Sequence, residues 1–527
     1  MKRMMIRAAL LFFAVLSLTA WGGAGAMEEG GWAYRKSDDA SLGEMAVIEK
    51  YRVTLDTPEI LTVPETLGGC PVRVMESHCF DYSGETTTAP RILILPEGIR
   101  RIEPHALDAY DLEEIRIENG MVYETVDGVL FQREQHALAA YPMGKKDLSY
   151  TIPEGTEVIG EGSFYFVDHL EELHVPDSVR LIEEDAFCDS SYSDLTIYLP
   201  ETVGTISPGA FSLADSGIRV ISASPRYQAA DNMLIDVQEK TLITIFCESP
   251  SESDQKSRTI VIPEGVETIG KKALDSLSCY RIVFPSTLKA IAGDDYFFID
   301  SDVLEFPEGL KSIGDNFRVN EVKNIVFSEG LERIGDGFKA TEIKNILFPS
   351  TLRSVGEFCL FNGNLESISF HEGIESIGAH AFSSNENLRT VYLPGSVHTI
   401  GDWSFRDCPK LQILGFPDTK AEEFCKREKI PFQYAFIGQW QAEDGEAAGT
   451  LNLPGAENVK FGITSDAMEL TYTRNGSEQR ESYPIEWKNG RLCMEGGYMN
   501  CIIPDTNQMI LEMNGARLHL TRMEETE

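Results

Sequence analysis

Positive charge is scarce in this chain: 46 Lys and Arg stand against 84 Asp and Glu over 527 residues, a formal net charge of −38. Such a surface repels phosphate backbones, which excludes nucleic acid as a partner. After the first 26 residues no apolar run is long enough to cross a bilayer as a helix. The nine His are scattered, and no Cys/His cluster has zinc spacing. Catalytic signatures are missing as well: there is no Gly-x-Ser-x-Gly elbow, no P-loop, no Gly-x-Gly-x-x-Gly and no His-Glu-x-x-His. No residue is therefore expected to be catalytic, cofactor-binding or metal-ligating, and no cofactor is expected.

What is present begins with an export pattern. Lys2, Arg3 and Arg7 precede an apolar stretch, Ala8–Ala20, and Ala24-Gly25-Ala26 offers small residues for cleavage. Residues 1–26 read as a signal peptide cleaved near Ala26, and the remainder as secreted or held at a cell surface. Ten cysteines in an exported chain would suggest disulfides. Cys79, Cys188, Cys359 and Cys408 instead fall at inward positions of a repeated unit, where small buried thiols pack as hydrophobes. Cys493 and Cys501 flank Gly496-Gly497 and could pair across a hairpin.

The dominant feature is a repeat. Ile368–Pro394 holds an apolar run, a Gly373 turn, Ile377-Gly378, Ala381-Phe382, a polar loop Ser383–Asn387 and the next apolar run. Residues opening the turn recur at Pro64, Pro96, Pro153, Pro176, Pro200, Pro263, Pro285, Pro307, Ser328, Pro349, His371 and Pro394; from Pro263 onward the spacings are 22, 22, 21, 21, 22 and 23. A following Ile, Val or Met recurs from Met75 to Ile400. Five residues later stands Phe80, Leu107, Phe164, Phe187, Phe211, Leu274, Leu360, Phe382 or Phe405, and four later in the short units, Phe317 and Phe338. A fixed period of this length marks one unit copied and stacked. Each unit reads as a short parallel strand ended by proline, a turn, a short second strand at Ile-Gly with Gly supplying φ > 0, and a return loop. The retained Phe is expected to stack on its equivalent in the next rung. Recurrent Glu in Pro-Glu-Gly reads as turn chemistry, with Ca²⁺ binding on an acidic face as the rival reading.

Two segments, 118–149 and 223–257, break the period and resemble each other. Asp127-Gly128 and Asp231-Asn232, each followed by alternating apolar runs, predict β-hairpins projecting from the stack. Residues 27–60 lack the repeat and read as an N-terminal β cap.

The pattern Pro-x-x-Val/Leu-x-x-Ile-Gly-x-x-Ala-Phe, with a following Cys in Phe405–Leu411, resembles the BspA-type leucine-rich repeat of bacterial exported proteins; the Asp-Gly-Val-Leu-Phe insert and the final turn 416–434 resemble that family too. Most units lack its Cys. The resemblance implies a mainly β, right-handed leucine-rich-repeat solenoid over 61–435, with about 12 rungs of 21–24 residues, few short helices and two hairpin inserts. It also implies a non-enzymatic role in adhesion or protein binding.

From Phe436 the period stops. Short alternating runs separated by turns such as Lys488-Asn489-Gly490 and Asn514-Gly515 predict a small antiparallel barrel or sandwich over 436–527. Gly438-x-Trp440 and the late Arg522 resemble the Gly-x-Trp and closing Arg of lipocalin-like barrels, where the Arg lies across the Trp. Asn475-Gly-Ser477 has glycosylation spacing and equally suits a strand turn. The favoured partner is a protein, with no nucleic acid and no membrane span. The rival readings are a carrier or sensor of a small apolar ligand in the C-terminal domain, and a secreted hydrolase.

Overall fold

The computed structural model describes residues 27–523 apart from 83–87, 168, 189–194, 213–216, 247–257, 300, 321, 341, 443–450, 452, 454–455, 489–490, 495–496, 506–507 and 514–515. The expected signal peptide, Cys247, Gly496, and the Asn489-Gly490 and Asn514-Gly515 turns lie outside the described residues. The protein is a mainly β solenoid with almost no helix. It divides into two compact units, one of residues 1–249 with 270–276, the other of 250–269 with 277–527.

The first unit opens with antiparallel strands Met27–Glu29, Trp32–Asp39 and Gly43–Arg52. The third also pairs in parallel with Cys70–Met75, so the cap grows directly into the rungs. Proline-ended strands then stack in parallel, Leu61 beside Leu93 and Leu93 beside Ile115. After the first insert a fresh set runs through Ser149–Thr151, Glu172–His174, Leu195–Leu199 and Ile218–Ser222. The two-residue Ile strands form their own parallel ladder, Ile159 beside Ile182 beside Ile206. These three Ile rungs also bury Phe164, Phe187 and Phe211, which stack with Tyr141 at centroids 5.3, 5.2 and 5.0 Å apart.

In the second unit the Ile strands continue regularly from Thr268–Ile269 to Thr399–Ile400. The short rungs differ. There, and in the 22-residue unit before them, the return segment is a third parallel strand: Tyr296–Ile299, Arg318–Asn320 and Lys339–Ala340. The expected Phe stack holds for Phe317–Phe338 and Phe382–Phe405 but is interrupted by Leu274 and Leu360. A second ladder occupies the residue before the turn: Phe284, Phe306, Phe327, Phe348 and Phe370, with successive centroids 5.6, 5.5, 5.7 and 5.0 Å apart. Phe284, Phe306 and Phe348 stand immediately before proline, which holds them extended and suits a strand-end ring facing inward.

Helix Lys420–Glu428, its N-terminus capped by the Thr419 hydroxyl and its C-terminus by Lys429 at φ 61°, leads to strand Phe432–Tyr434, which adds the last parallel strand of the stack. Eight further strands, from Gly438–Ala442 to Ala516–Arg522, pair in sequence, and the last returns to pair with the first. Trp440, Phe461, Met468, Leu470, Met509, Leu511, Leu518 and Leu520 are buried in one cluster with Tyr392 and Phe416 of the last rungs. The Trp487 ring lies 4.9 Å from Phe416 and 5.2 Å from Phe436, so aromatic stacking carries this domain on the solenoid end. The Arg522 guanidinium sits 4.3 Å from the Trp440 ring centroid and donates to the carbonyls of Ala435 and Ile437. Strand register places Cys493 opposite Tyr498 and Cys501 opposite Leu511, which corrects the expectation that the two cysteines face each other across a hairpin.

The inserts also depart from expectation. Their turns have the anticipated double positive φ, Asp127 51° with Gly128 78° and Asp231 51° with Asn232 60°. Neither projects as a free hairpin. Each is a three-stranded meander, and in the first the third strand, Ala137–Ala140, joins the Ile ladder at Val158–Ile159. Val129, Leu130, Phe131 and Leu138 are buried, as are Met233, Leu234 and Leu242. Apolar residues on both faces of a strand need cover on both faces, and the solenoid supplies it.

Candidate interaction surface

One backbone feature recurs in twelve of the described rungs. The residue three after the Ile-strand position is left-handed: His78, His105, Gly162, Asp185, Gly209, Lys272, Asp294, Asn316, Gly337, Phe358, His380 and Trp403 all have φ between 54° and 82°. The Ile-Gly glycines, expected to supply this φ, do not adopt it. They are small for another reason. A Cβ on Gly160 would lie 2.9 Å from the Leu138 carbonyl oxygen and one on Gly270 2.7 Å from that of Leu242, because neighbouring rungs pack backbone to backbone there.

The left-handed turns are linked along the stack. The N–H groups of Asp294, Asn316, Gly337, Phe358 and His380 each donate to a carbonyl of the following rung, at 2.6 to 3.1 Å. This ladder holds the side chains at that position one above another. His78 and His105 stack at 5.4 Å; Lys272 reaches across Gly209 to Asp185 at 2.8 Å; Asn316 donates to Asp294 at 2.8 Å. Near the end of the solenoid the column turns aromatic. Phe358 lies 4.8 Å from His380 with planes 5° apart, and His380 lies 5.1 Å from Trp403.

Bulky residues rarely take positive φ, which costs roughly 1–2 kcal/mol each. Phe358 and Trp403 accept that cost while 46% and 49% exposed, and Phe361, 36% exposed, sits edge-on to Phe358. Arg406 lies 5.5 Å from the Trp403 centroid. Below it is a cleft of about 370 Å³ lined by Trp403, Arg406, Cys408, Pro409, Phe424 and Glu428. Burial pushes the Cys408 thiol up to about 11, so it is no nucleophile near neutrality.

In the first unit His105 is bonded through Nδ1 to Asp108 at 3.2 Å. Burial pulls its pKa down, but the Asp108 hydrogen bond and charge outweigh that and leave it raised. His105 and His380 both sit in the left-handed turn and are partly buried there. The acid after the turn-opening residue is engaged in the turn itself in two rungs, one Pro-Glu-Gly and one Ser-Glu-Gly. Glu264 accepts from the Ser286 N–H and hydroxyl, both at 2.9 Å, and Glu329 accepts from Ser350 at 3.1 and 2.7 Å. Those bonds lower both carboxyl pKa values. Among the described residues no group of three or more His, Cys, Asp or Glu is placed to hold a metal ion.

The profile of the BspA type leucine rich repeat region matches residues 144–230, 251–357 and 316–426. Those residues are BspA-type leucine-rich repeats. The matched residues include the left-handed positions from Gly162 to Trp403, the aromatic ones among them. Solved structures with similar chains include a leucine rich cell surface protein of Faecalibacterium prausnitzii, 21% identical over 76% of this chain and 97% of that one, TM-score 0.36. The pneumococcal vaccine antigen PcpA is 15% identical over 79% and 99%, TM-score 0.41. A leucine-rich repeat protein of Bacteroides ovatus is 15% identical over 77% and 99%, TM-score 0.31. No curated protein matches. No described helix is long and apolar enough to cross a membrane.

Proposed function

We propose that this is an exported, non-enzymatic protein, secreted or held at the cell surface, that binds a protein partner through its BspA-type repeat solenoid. The exposed aromatic column Phe358–His380–Trp403 carries the reading: stability alone favours neither a strained backbone nor an exposed ring, so a partner that covers the rings accounts for both. The domain layout that goes with it is signal peptide 1–26, β cap 27–60, solenoid 61–435 and a lipocalin-like barrel 436–527. The packed inward side chains of that last domain favour a cap on the solenoid end over a carrier of small apolar ligands. Probing the intact chain against arrayed extracellular and surface proteins tests the binding role, with specific retention of one or a few expected and none counting against it. Recovery from the medium or cell surface with an N-terminus near Met27 tests export; a cytoplasmic chain retaining Met1 refutes it.

A further inference from the structure

Resting on that reading, the surface around the column narrows the kind of protein. The residue preceding the left-handed position is acidic in several late rungs: Asp315, Asp336, Glu357 and Asp402, all exposed. Asp315 pairs with Arg333 at 3.4 Å and Asp402 with Arg427 at 3.2 Å; among the described residues neither Asp336 nor Glu357 has a cationic partner. The Asp336 carboxylate accepts the Glu357 N–H at 2.8 Å, so carboxylates border the ridge at the spacing of the rungs, with a gap at Ala379 before Asp402. Stacked strands set that spacing at about 4.8 Å.

The ring geometry argues against a glycan. Phe358 and His380 lie face to face, and the guanidinium of Arg406 lies over Trp403. Few open ring faces are left for a sugar to stack on. Stacking of Phe358 on His380 covers faces and leaves edges, and edges pack on apolar and aromatic side chains. Acidic groups beside them attract cations, as does the whole chain at −38.

We propose that the ridge of Phe358, His380 and Trp403, flanked by Phe361 and bordered by Asp336, Glu357 and Asp402, docks a basic polypeptide segment in which Lys or Arg alternates with aromatic or long aliphatic residues. Apolar side chains of the segment cover the ring edges, and its cations meet the carboxylates.

The test is fluorescence anisotropy with the intact chain and a labelled dodecapeptide alternating Lys with Phe and Leu. A peptide with Glu in place of Lys and an oligolysine of equal length are its controls. The disabling variant is Phe358→Gly with Trp403→Gly, because Gly162, Gly209 and Gly337 already occupy the same turn in other rungs. If that variant misfolds, Phe358→Asn with Trp403→Asn replaces it, on the precedent of Asn316. The expected result is at least tenfold weaker binding by the Gly variant, a several-fold loss with reduced salt dependence for Asp336→Asn with Glu357→Gln, and no binding of the Glu peptide. Equal binding by the folded Gly variant overturns the ridge, as does oligolysine binding as tightly as the mixed peptide, or a mixed peptide that does not bind. The surface-protein array, which does not use this peptide, decides the broader binding role separately.

Discussion

The phenolic oxygen of Tyr123 accepts the backbone N–H of Ile102 at 3.1 Å, and Tyr227 repeats the contact on Ile206 at 2.9 Å; both pairs are 21 residues apart in the chain. Each insert breaks the Ile ladder just after one of these isoleucines, leaving an N–H that would otherwise point at the next rung. The Tyr that opens the insert satisfies it. The two inserts are thus one device used twice.

Tyr227→Phe is expected to cost about 1–3 kcal/mol, because it leaves a buried N–H without an acceptor. Tyr123→Phe should cost less, since its bond is only part-buried. Urea unfolding of both variants checks the order; no loss in either case refutes the capping role.

Strain and stacking oppose one another at the aromatic end of the column. Replacing Phe358 or Trp403 with Gly removes roughly 1–2 kcal/mol of left-handed strain, and loses a ring contact of about 0.5–1.5 kcal/mol. The net change should lie within about 1 kcal/mol, whereas Phe382→Ala in the core should cost about 3–5 kcal/mol. Comparable losses by unfolding midpoint would mean that the exposed rings are structural.

His105 makes stability pH-dependent. Its folded pKa is raised, mainly because Asp108 outweighs burial, with Glu161 and Asp185 adding to it and Tyr165 packed on the ring. The protonated form therefore favours the fold. The contribution is complete below the unfolded value of about 6.5, and is lost as pH rises through the folded one. Asp108→Asn should destabilise the protein by about 1 kcal/mol at pH 5, and by less at pH 8. Unfolding at the two pH values tests this, and an equal loss at both would rule the linkage out.

The thiols should divide by depth. Burial raises the pKa of Cys79 and Cys359 strongly, so neither should react with a disulfide reagent in the native chain at pH 8, while both react once unfolded. Non-reducing peptide mapping should show no Cys493–Cys501 link, since register places other residues opposite each. A link at that pair would contradict the register.

The period, the Ile and Phe positions and the proline-ended strands were legible in the sequence because stacking demands the same apolar side chain at the same step of every rung. The turn at 127–128 was legible for a similar reason: a double positive φ selects Asp, Asn and Gly. The left-handed column was not. Its occupants run through His, Gly, Asp, Lys, Asn, Phe and Trp, so no composition marks it, and its φ follows from hydrogen bonds to the next rung rather than from the residue. The Ile-Gly glycines misled because closeness of two backbones and a positive φ select the same residue. The Tyr caps and the meeting of Phe358, His380 and Trp403 join residues about 21 to 23 positions apart, a distance bridged only once the chain is coiled. Sequence alone determined that this protein stacks. Tertiary structure decided which side chains the stack brings to the surface together, because that depends on where each rung's turn is tied to its neighbour.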